Sequence, residues 1–433
     1  MLLGAGSAGA ADAVKTPTFT KDVAPIFQAK CEACHRVDSM APMALSTYQE
    51  VRPWAKSIRA RVAARQMPPW HVDRNIGIQE FKNDRSLSDQ EIDTITRWAD
   101  GGAPMGDPKD MPAAIAWPDA AVWNLAKMFG PPDLIVKSPS FTMPAQAQDA
   151  WDKRSTPSGV TEPRWVRAIE IRPATNKGRK IVHHALARLS QDDPVDTAAA
   201  ANNDDDSGVT AGPGLFMEWA VGKQGEIMRP DTGKLLLPGS QFVWDIHYSA
   251  AGEEITNNVE LGLYFYPKGE EPKFRQVLHL MGTGGIDIPP QTIKGTQGFF
   301  VMKQAGRVES FQPHMHLRGK AMMMEAILPS GQQQMLSHVD NFNFNWHNSY
   351  YYADEAAPLL PKGTVLRITA WHDNTPANKS NPDPTQWVGS GDRTVDEMAH
   401  AWVNVTYMSD EDFKVEVEKR KAQTTRTTDQ RQQ

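Results

Sequence analysis

Gln241-Phe242-Val243-Trp244-Asp245-Ile246-His247-Tyr248 sets large apolar side chains at every second place. Period-two spacing is the pattern of a strand with one buried face. Trp165-Val166-Arg167-Ala168-Ile169-Glu170-Ile171 and Val365-Leu366-Arg367-Ile368-Thr369-Ala370-Trp371 are further short runs of the same kind, broken by turn residues. Together they predict antiparallel sandwich sheet. The stretch from residue 133 to about 415 is too long for one sandwich. Two all-β sandwiches in tandem are expected, over 133–270 and 271–413, divided near Lys268-Gly269-Glu270-Glu271-Pro272.

Upstream the pattern changes. Residues 17–106 read as a small all-α domain. Val23, Ile26 and Phe27 form one apolar helix face, and Ser88-Asp89-Gln90-Glu91 is a capping box. Ile92, Ile95, Trp98 and Ala99 continue that helix until Gly101-Gly102 ends it. Residues 107–132, with Pro108, Pro112 and Pro118, have linker composition. The acidic stretch Ala198–Asp206 reads as a solvated surface loop, because no spaced calcium-ligand loop follows it. From Lys414 the 414–433 tail is polar and is expected to fray. No solenoid-type repeat stands out.

Composition narrows the class. Forty per cent hydrophobic residues over 433 positions suit a globular chain of several units. A net charge of −6 and the lack of Lys/Arg blocks argue against a nucleic-acid partner. No run approaches the 18 or so apolar residues of a membrane span. Residues 1–16, small and apolar with a cleavage-like site near Ala11 or Ala13, read as the remnant of a secretory signal or as a disordered end. A periplasmic or secreted location is the expectation.

The two cysteines both fall in Cys31-Glu32-Ala33-Cys34-His35. C-x-x-C alone also marks redox and zinc pairs. The His directly after, the helix before and the lack of a second cysteine pair favour covalent haem c, with His35 as proximal ligand. A sixth ligand is expected downstream, and Met67 in Gln66-Met67-Pro68-Pro69-Trp70 is the choice over Met40, Met43 and His71.

The remaining chemistry lies in histidines. His314 and His316, two apart, would share one face of a strand. His183 and His184 are neighbours, so one metal could take both rings only at a strand end or a bulge, with His247 as third nitrogen. Three imidazoles suit copper in either oxidation state, and two nitrogens with the thioether of Met398 favour Cu(I). His347 and His372 read as hydrogen-bonded structural residues, while His279 and His338 show no usable pattern.

From about residue 133 to 410 the chain resembles the copper type II, ascorbate-dependent monooxygenases, the family of peptidylglycine α-hydroxylating and dopamine β-monooxygenases. The matching elements are Val182-His183-His184, Leu237-Pro238-Gly239-Ser240 leading to Asp245-Ile246-His247-Tyr248, Pro313-His314-Met315-His316-Leu317-Arg318-Gly319, Trp371-His372-Asp373-Asn374 and Asp396-Glu397-Met398. The N-terminal part is similar to class I cytochromes c, with Met67-Pro68-Pro69 in the distal-ligand segment. The resemblance implies two jelly-roll sandwiches facing a solvent-filled cleft, one copper on each. His183, His184 and His247 would hold an electron-storing copper; His314, His316 and Met398 would hold the copper that takes O2. The implied reaction is R–H + O2 + 2e⁻ + 2H⁺ → R–OH + H2O. Departures are the missing disulfides and Gln312, His400 and Trp402, which stand where peptide-hydroxylating members place an Arg, an Asn and a Tyr. Losing the guanidinium removes a carboxylate clamp and argues against peptide amidation, while His400 and Trp402 point to a flatter, less charged substrate or to plain strand packing.

The expected function is therefore hydroxylation of a small organic substrate with O2, using one haem c and two copper ions. Electrons would come from an ascorbate-like reductant or a periplasmic redox protein. The alternatives are a non-catalytic haem and copper electron-transfer protein, and a haem fusion whose sandwiches bind carbohydrate or protein and hold no metal.

Overall fold

A computed structural model describes residues 16–37, 41, 43–82, 84–117, 122–193, 214–220, 223 and 225–431. The leader remnant (all but Thr16), Met40 and the Ala198–Asp206 loop lie outside the described residues. The chain divides into two compact units, 1–70 with 85–117, and 71–84 with 118–433.

The described elements of the first unit are helical turns and helices: Phe19–Val23, Ala24–Lys30, Tyr48–Val51, Arg52–Trp54, Ala55–Ala63, Asp89–Asp100 and Pro108–Asp110. Phe19, Val23, Phe27, Ile58, Val62, Ile95 and Trp98 meet in its core. Ser88 caps Asp89–Asp100, the sixth of these elements, as its sequence demands. Its side chain accepts the Glu91 N–H, and Glu91 Oε2 accepts the Ser88 N–H at 2.7 Å. Trp98 Nε1 donates to Pro104 O at 3.0 Å, tying the chain beyond Gly101 and Gly102 back to the helix.

The expected 17–106 domain is not continuous. Val72–Gly77 is a strand of the second unit, paired with Gln333–Val339. Phe81 follows it, stacked on Tyr352 with ring centroids 5.4 Å apart. The expected 107–132 linker is also divided. Up to Trp117 it groups with the first unit, and Trp123 is buried in the second beneath the Arg172 guanidinium, 3.9 Å from its ring centroid.

The second unit is mostly β-sheet. The three runs quoted from the sequence fall in strands Arg164–Pro173, Gln241–Tyr248 and Val365–Asp373. One five-stranded sheet carries Gln241–Tyr248 between Ala150–Asp152 and Val182–Ser190, with Gly214–Ala220 at its edge. Another runs Val72–Gly77, Gln333–Val339, Gly319–Ile327, Val365–Asp373, Ile293–Val301. An eleven-stranded sheet spans both halves. The turn at Pro267–Glu270 falls where a boundary was expected, yet Thr232–Leu236 pairs in parallel with Phe274–Thr283 across it. The halves are therefore joined by backbone hydrogen bonds rather than by a linker.

Phe242, Trp244, Ile246 and Tyr248 enter the core with Val166, Ile169, Phe216 and Leu261, which leaves His247 on the opposite face. The tail departs from expectation too, since Asp410–Arg431 is helical. Arg420 Nη1 donates to Ala357 O at 2.6 Å, and Glu416 receives Arg307 at 3.4 Å. No helix among the described residues is long and apolar enough to cross a membrane.

Gly298, on Ile293–Val301, lies against Gly282, whose φ of +135° needs glycine. A Cβ at 298 would overlap the Gly282 backbone. Gly298→Ala should therefore destabilise the protein by about 1–3 kcal/mol in denaturant melts. An unchanged midpoint would show that the two strands separate freely.

Candidate metal centre

The first unit places Cys31 and Cys34 at the end of helix Ala24–Lys30, and neither is in a disulfide. Burial, with help from Cys34 and Glu32, pushes the Cys31 thiol up to about 12; burial also raises Cys34. His35 Nδ1 lies 3.2 Å from Met43 O, so the ring N–H points at that carbonyl and Nε2 keeps its lone pair. Unpaired thiols and an imidazole whose Nδ1 is engaged fit a thioether-bound haem with His35 as axial donor. Met67 stands half-buried beyond helix Ala55–Ala63 in the same unit. Met43 is engaged through its backbone carbonyl. His71 belongs to the second unit, where its N–H donates to the Tyr350 hydroxyl at 3.2 Å.

In the second unit a single irregularity decides the first histidine set. Along the ladder His247 pairs with His184, but Tyr248 pairs with Val182, so His183 is the extra residue of a bulge. The core residues show the same slip. Val182, Ala185, Ala187 and Leu189 face inward, with two residues instead of one between the first pair. His183 and His184 thus both escape the core, as the sequence required for a shared metal.

His247 stacks on Trp151 at 4.6 Å, and its Nε2 lies 2.9 Å from Asp149 Oδ2. A carboxylate accepts only, so Nε2 carries the proton and Nδ1 keeps its lone pair. That Nδ1 is buried without a partner. His183 Nδ1 and His184 Nδ1 are 3.2 Å apart. Two imidazole nitrogens bound to one tetrahedral ion sit roughly 3.3 Å apart. One donor nitrogen from each of His183, His184 and His247 falls within 4.8 Å of the others. An orphaned buried nitrogen within a close triad fits a metal ion.

The second set sits at the end of strand Ser310–His314. His314 is its last residue and His316 lies just past it, so the pair straddles a strand end rather than a continuous face. His316 Nδ1–H donates to Asp396 O at 3.0 Å, leaving Nε2 as donor. His314 pairs with His400 at the end of this ladder, and Met398 lies two residues before His400, just outside the strand Ala399–Met408. The fully buried Glu397 carboxylate holds this junction, accepting the backbone N–H groups of His316 at 2.9 Å and Arg318 at 2.6 Å. The Arg318 guanidinium donates to Val395 O at 2.9 Å and Asn374 Oδ1 at 3.0 Å. His372 is structural, as expected, with Nε2 3.0 Å from Met398 O. The motif residues around Arg318, His372, Asn374 and Glu397 thus fix the chain that carries Met398.

Trp402 stacks on His314 at 4.7 Å, and Gln312 is buried beside it in the same ladder. His279, without a pattern in sequence, is a core residue bonded to the Tyr407 hydroxyl at 2.8 Å. His338 lies 3.6 Å from Asp73.

The two sets adjoin. The His184 and His314 ring centroids are 5.8 Å apart, so no open cleft of the kind the resemblance implies separates these rings. His347, expected to be merely structural, stands among them. It lies 4.7 Å from His314 and 6.1 Å from both His183 and His184, ring to ring. Sequence reading missed it along with Asp149, Trp151 and Phe344, because no ligand-type spacing marks any of them.

Burial governs the charge here. The His183 and His184 rings are partly open, yet their nitrogens lie deep enough for desolvation to dominate. Desolvation first, then neighbouring imidazoles, lowers His183 to about 4 and His184 and His314 well below their usual value. His347 falls to about 3 and His400 to about 4 from the same lead cause. Desolvation also lowers His247, against the opposing pull of Asp149.

No protein-family model matches the chain, and no curated protein matches it. Among solved structures, the major capsid protein P2 from bacteriophage PM2 aligns with 63% of this chain and 97% of its own, at 9% identity and a TM-score of 0.25. A likeness that weak carries no argument about the site.

Folded imidazoles with depressed pKa bind fewer protons than unfolded ones, so metal-free protein should lose stability as pH falls below about 6.5 toward 4. Glu32, Glu170, Glu218 and Asp245, raised by burial, act in the opposite sense but are fewer than the depressed imidazoles. Denaturant midpoints in chelator at pH 7.5, 6.5 and 5.5 should decline in that order; a flat or rising series contradicts the burial of these rings.

Proposed function

We propose that this chain is a copper-dependent monooxygenase that hydroxylates a C–H bond of a small organic substrate with O2, receiving electrons through its own haem c. The observation that carries the reading is the convergence of His183, His184 and His247 beside His314 and His316. The motif resemblance over residues 182–398 and the unpaired Cys31-x-x-Cys34-His35 supply the rest.

Copper bound at these ligands would supply one-electron redox chemistry and activation of O2. Haem at Cys31, Cys34 and His35 would supply electrons one at a time. The chain's own residues do the positioning. His183, His184 and His247 offer Nδ1 to the first ion, with Asp149 fixing the His247 tautomer. His316 offers Nε2 to the second ion, alongside His314 and Met398, because Asp396 O engages its Nδ1. Trp151 and Trp402 cover one ring of each set and limit water there. Near His314 the side chains of Gln312 and Trp402 are uncharged, which favours a substrate without a carboxylate.

In finer terms the reading makes residues 17–106, less the segment 71–84 that belongs to the second unit, a class I cytochrome c domain with Met67 as sixth ligand. The second unit becomes two fused jelly-roll sandwiches. A periplasmic or secreted location and an external donor, an ascorbate-like reductant or a redox protein, complete it.

Metal analysis of purified protein should give about one haem and two coppers per chain, and substrate should drive O2 uptake. Met398→Ile should abolish hydroxylation while the His183 set stays loaded, detected as roughly one remaining copper. Wild-type turnover in that variant removes Met398 from the ligand set. Loaded wild-type protein that consumes no O2 with any C–H substrate favours a non-catalytic electron carrier.

A second measurement isolates the haem. His35→Ala should leave copper loading intact but slow copper reduction by an external donor at least about tenfold, seen by stopped-flow absorbance. Equal rates would show that electrons bypass the first unit.

A further inference from the structure

We propose that His347 is a positioning residue of this centre. By accepting the Nδ1–H of His314 it turns Nε2 of His314 toward the metal, and it sets a further imidazole between the two ligand sets. The inference rests on the copper reading above.

Two other ligand rings have their outward nitrogen engaged by a partner that cannot donate, Asp149 for His247 and the Asp396 carbonyl for His316. His314 has neither. Its Nδ1 meets the Nδ1 of His347 at 3.0 Å. A neutral ring that offers Nε2 to an ion keeps its proton on Nδ1, and that proton must go to His347. His347 then carries its own proton on Nε2. That atom is buried without a partner at hydrogen-bond geometry.

The surroundings explain why packing alone does not call for an imidazole here. His347 follows a tight turn in which Trp346 N–H donates to Asn343 O at 2.9 Å. The rings of Phe342 and Phe344 stand 5.7 and 5.6 Å away. An apolar ring would fill that place with no buried nitrogen to satisfy, so the imidazole answers to its polar partners, His314 and the Phe344 backbone, rather than to packing. With His314 4.7 Å away and His183 and His184 each at 6.1 Å, His347 also touches both sets. Any shift of the Asn343–Trp346 turn would move His314 and crowd the first set at once.

The test uses the full-length, haem-loaded protein with His347→Phe and His347→Gln. Near-UV circular dichroism serves as the folding control. At saturation both variants should still bind two coppers per chain. Competition with a Cu(I) chelator should show affinity at the His314 set falling about ten- to a hundredfold in H347F. Its Cu(II) paramagnetic resonance hyperfine splitting should change while the signal of the His183 set does not. H347Q, whose side-chain carbonyl can take the same N–H, should restore both properties.

Wild-type affinity and spectrum in H347F overturn the proposal and leave a packing residue. Loss of one coordinated nitrogen in both variants, without rescue by Gln, overturns it in favour of direct ligation. Wild-type protein that takes up no copper at the His314 set defeats the monooxygenase reading itself, an outcome separate from either variant result.

Discussion

Imidazoles this close can share a buried patch only while they are uncharged. His183 and His247 are 5.1 Å apart by ring centroid, and His184 and His247 are 5.0 Å apart. Two unit charges at that distance repel by roughly 3 kcal/mol even at an effective dielectric of about 20. Desolvation acts in the same direction on His183, His184, His247, His314 and His347. A neutral ring has one donor and one acceptor nitrogen, so whichever neighbour takes the proton decides which nitrogen is left for a ligand. The arrangement of the centre follows from those outward partners as much as from the histidines.

Backbone geometry brings the rings there. The bulge at His183 places two consecutive side chains outside the core that Val182 and Ala185 enter. The parallel pairing of Thr232 with Phe274 and Gly233 with Arg275 makes one sheet of the two halves. A small cluster of Leu186, Leu215, Leu278 and Trp402 packs across them next to His314. Side chains from both halves thus meet by packed sheet and apolar contact, and the closeness of His184 to His314 belongs to the fold itself.

Much of this was legible in the sequence because strands and metal ligands leave periodic traces. The alternation in Gln241–Tyr248 located a strand with its residue bounds, and the adjacency of His183 and His184 called, for a shared metal, for a strand end or a bulge, of which the bulge is found. The Ser88 capping box announced its helix. Long-range pairing left no such trace. Nothing local in Val72–Gly77 says that it joins a strand more than 250 residues later, nor that the tail helix docks through Arg307 and Arg420. His347 was read only as a hydrogen-bonded residue, and its partner could not be named, because that contact lies 33 residues away in sequence, at His314. Residues that act through another side chain carry no spacing rule.

The partners also make the two sets unequal. His247 donates to the Asp149 carboxylate, and a charged acceptor makes an imidazole a stronger donor to an ion. His316 and His314 lean on a backbone carbonyl and a neutral imidazole, which do so less. Under the copper reading the first set is thereby biased toward the more highly charged state of its ion. The second, with weaker imidazoles and the thioether of Met398, is biased toward the less charged one. Under that reading an electron held near His183 would run downhill to the His314 set, and the hydrogen-bond acceptors would set that direction together with the thioether.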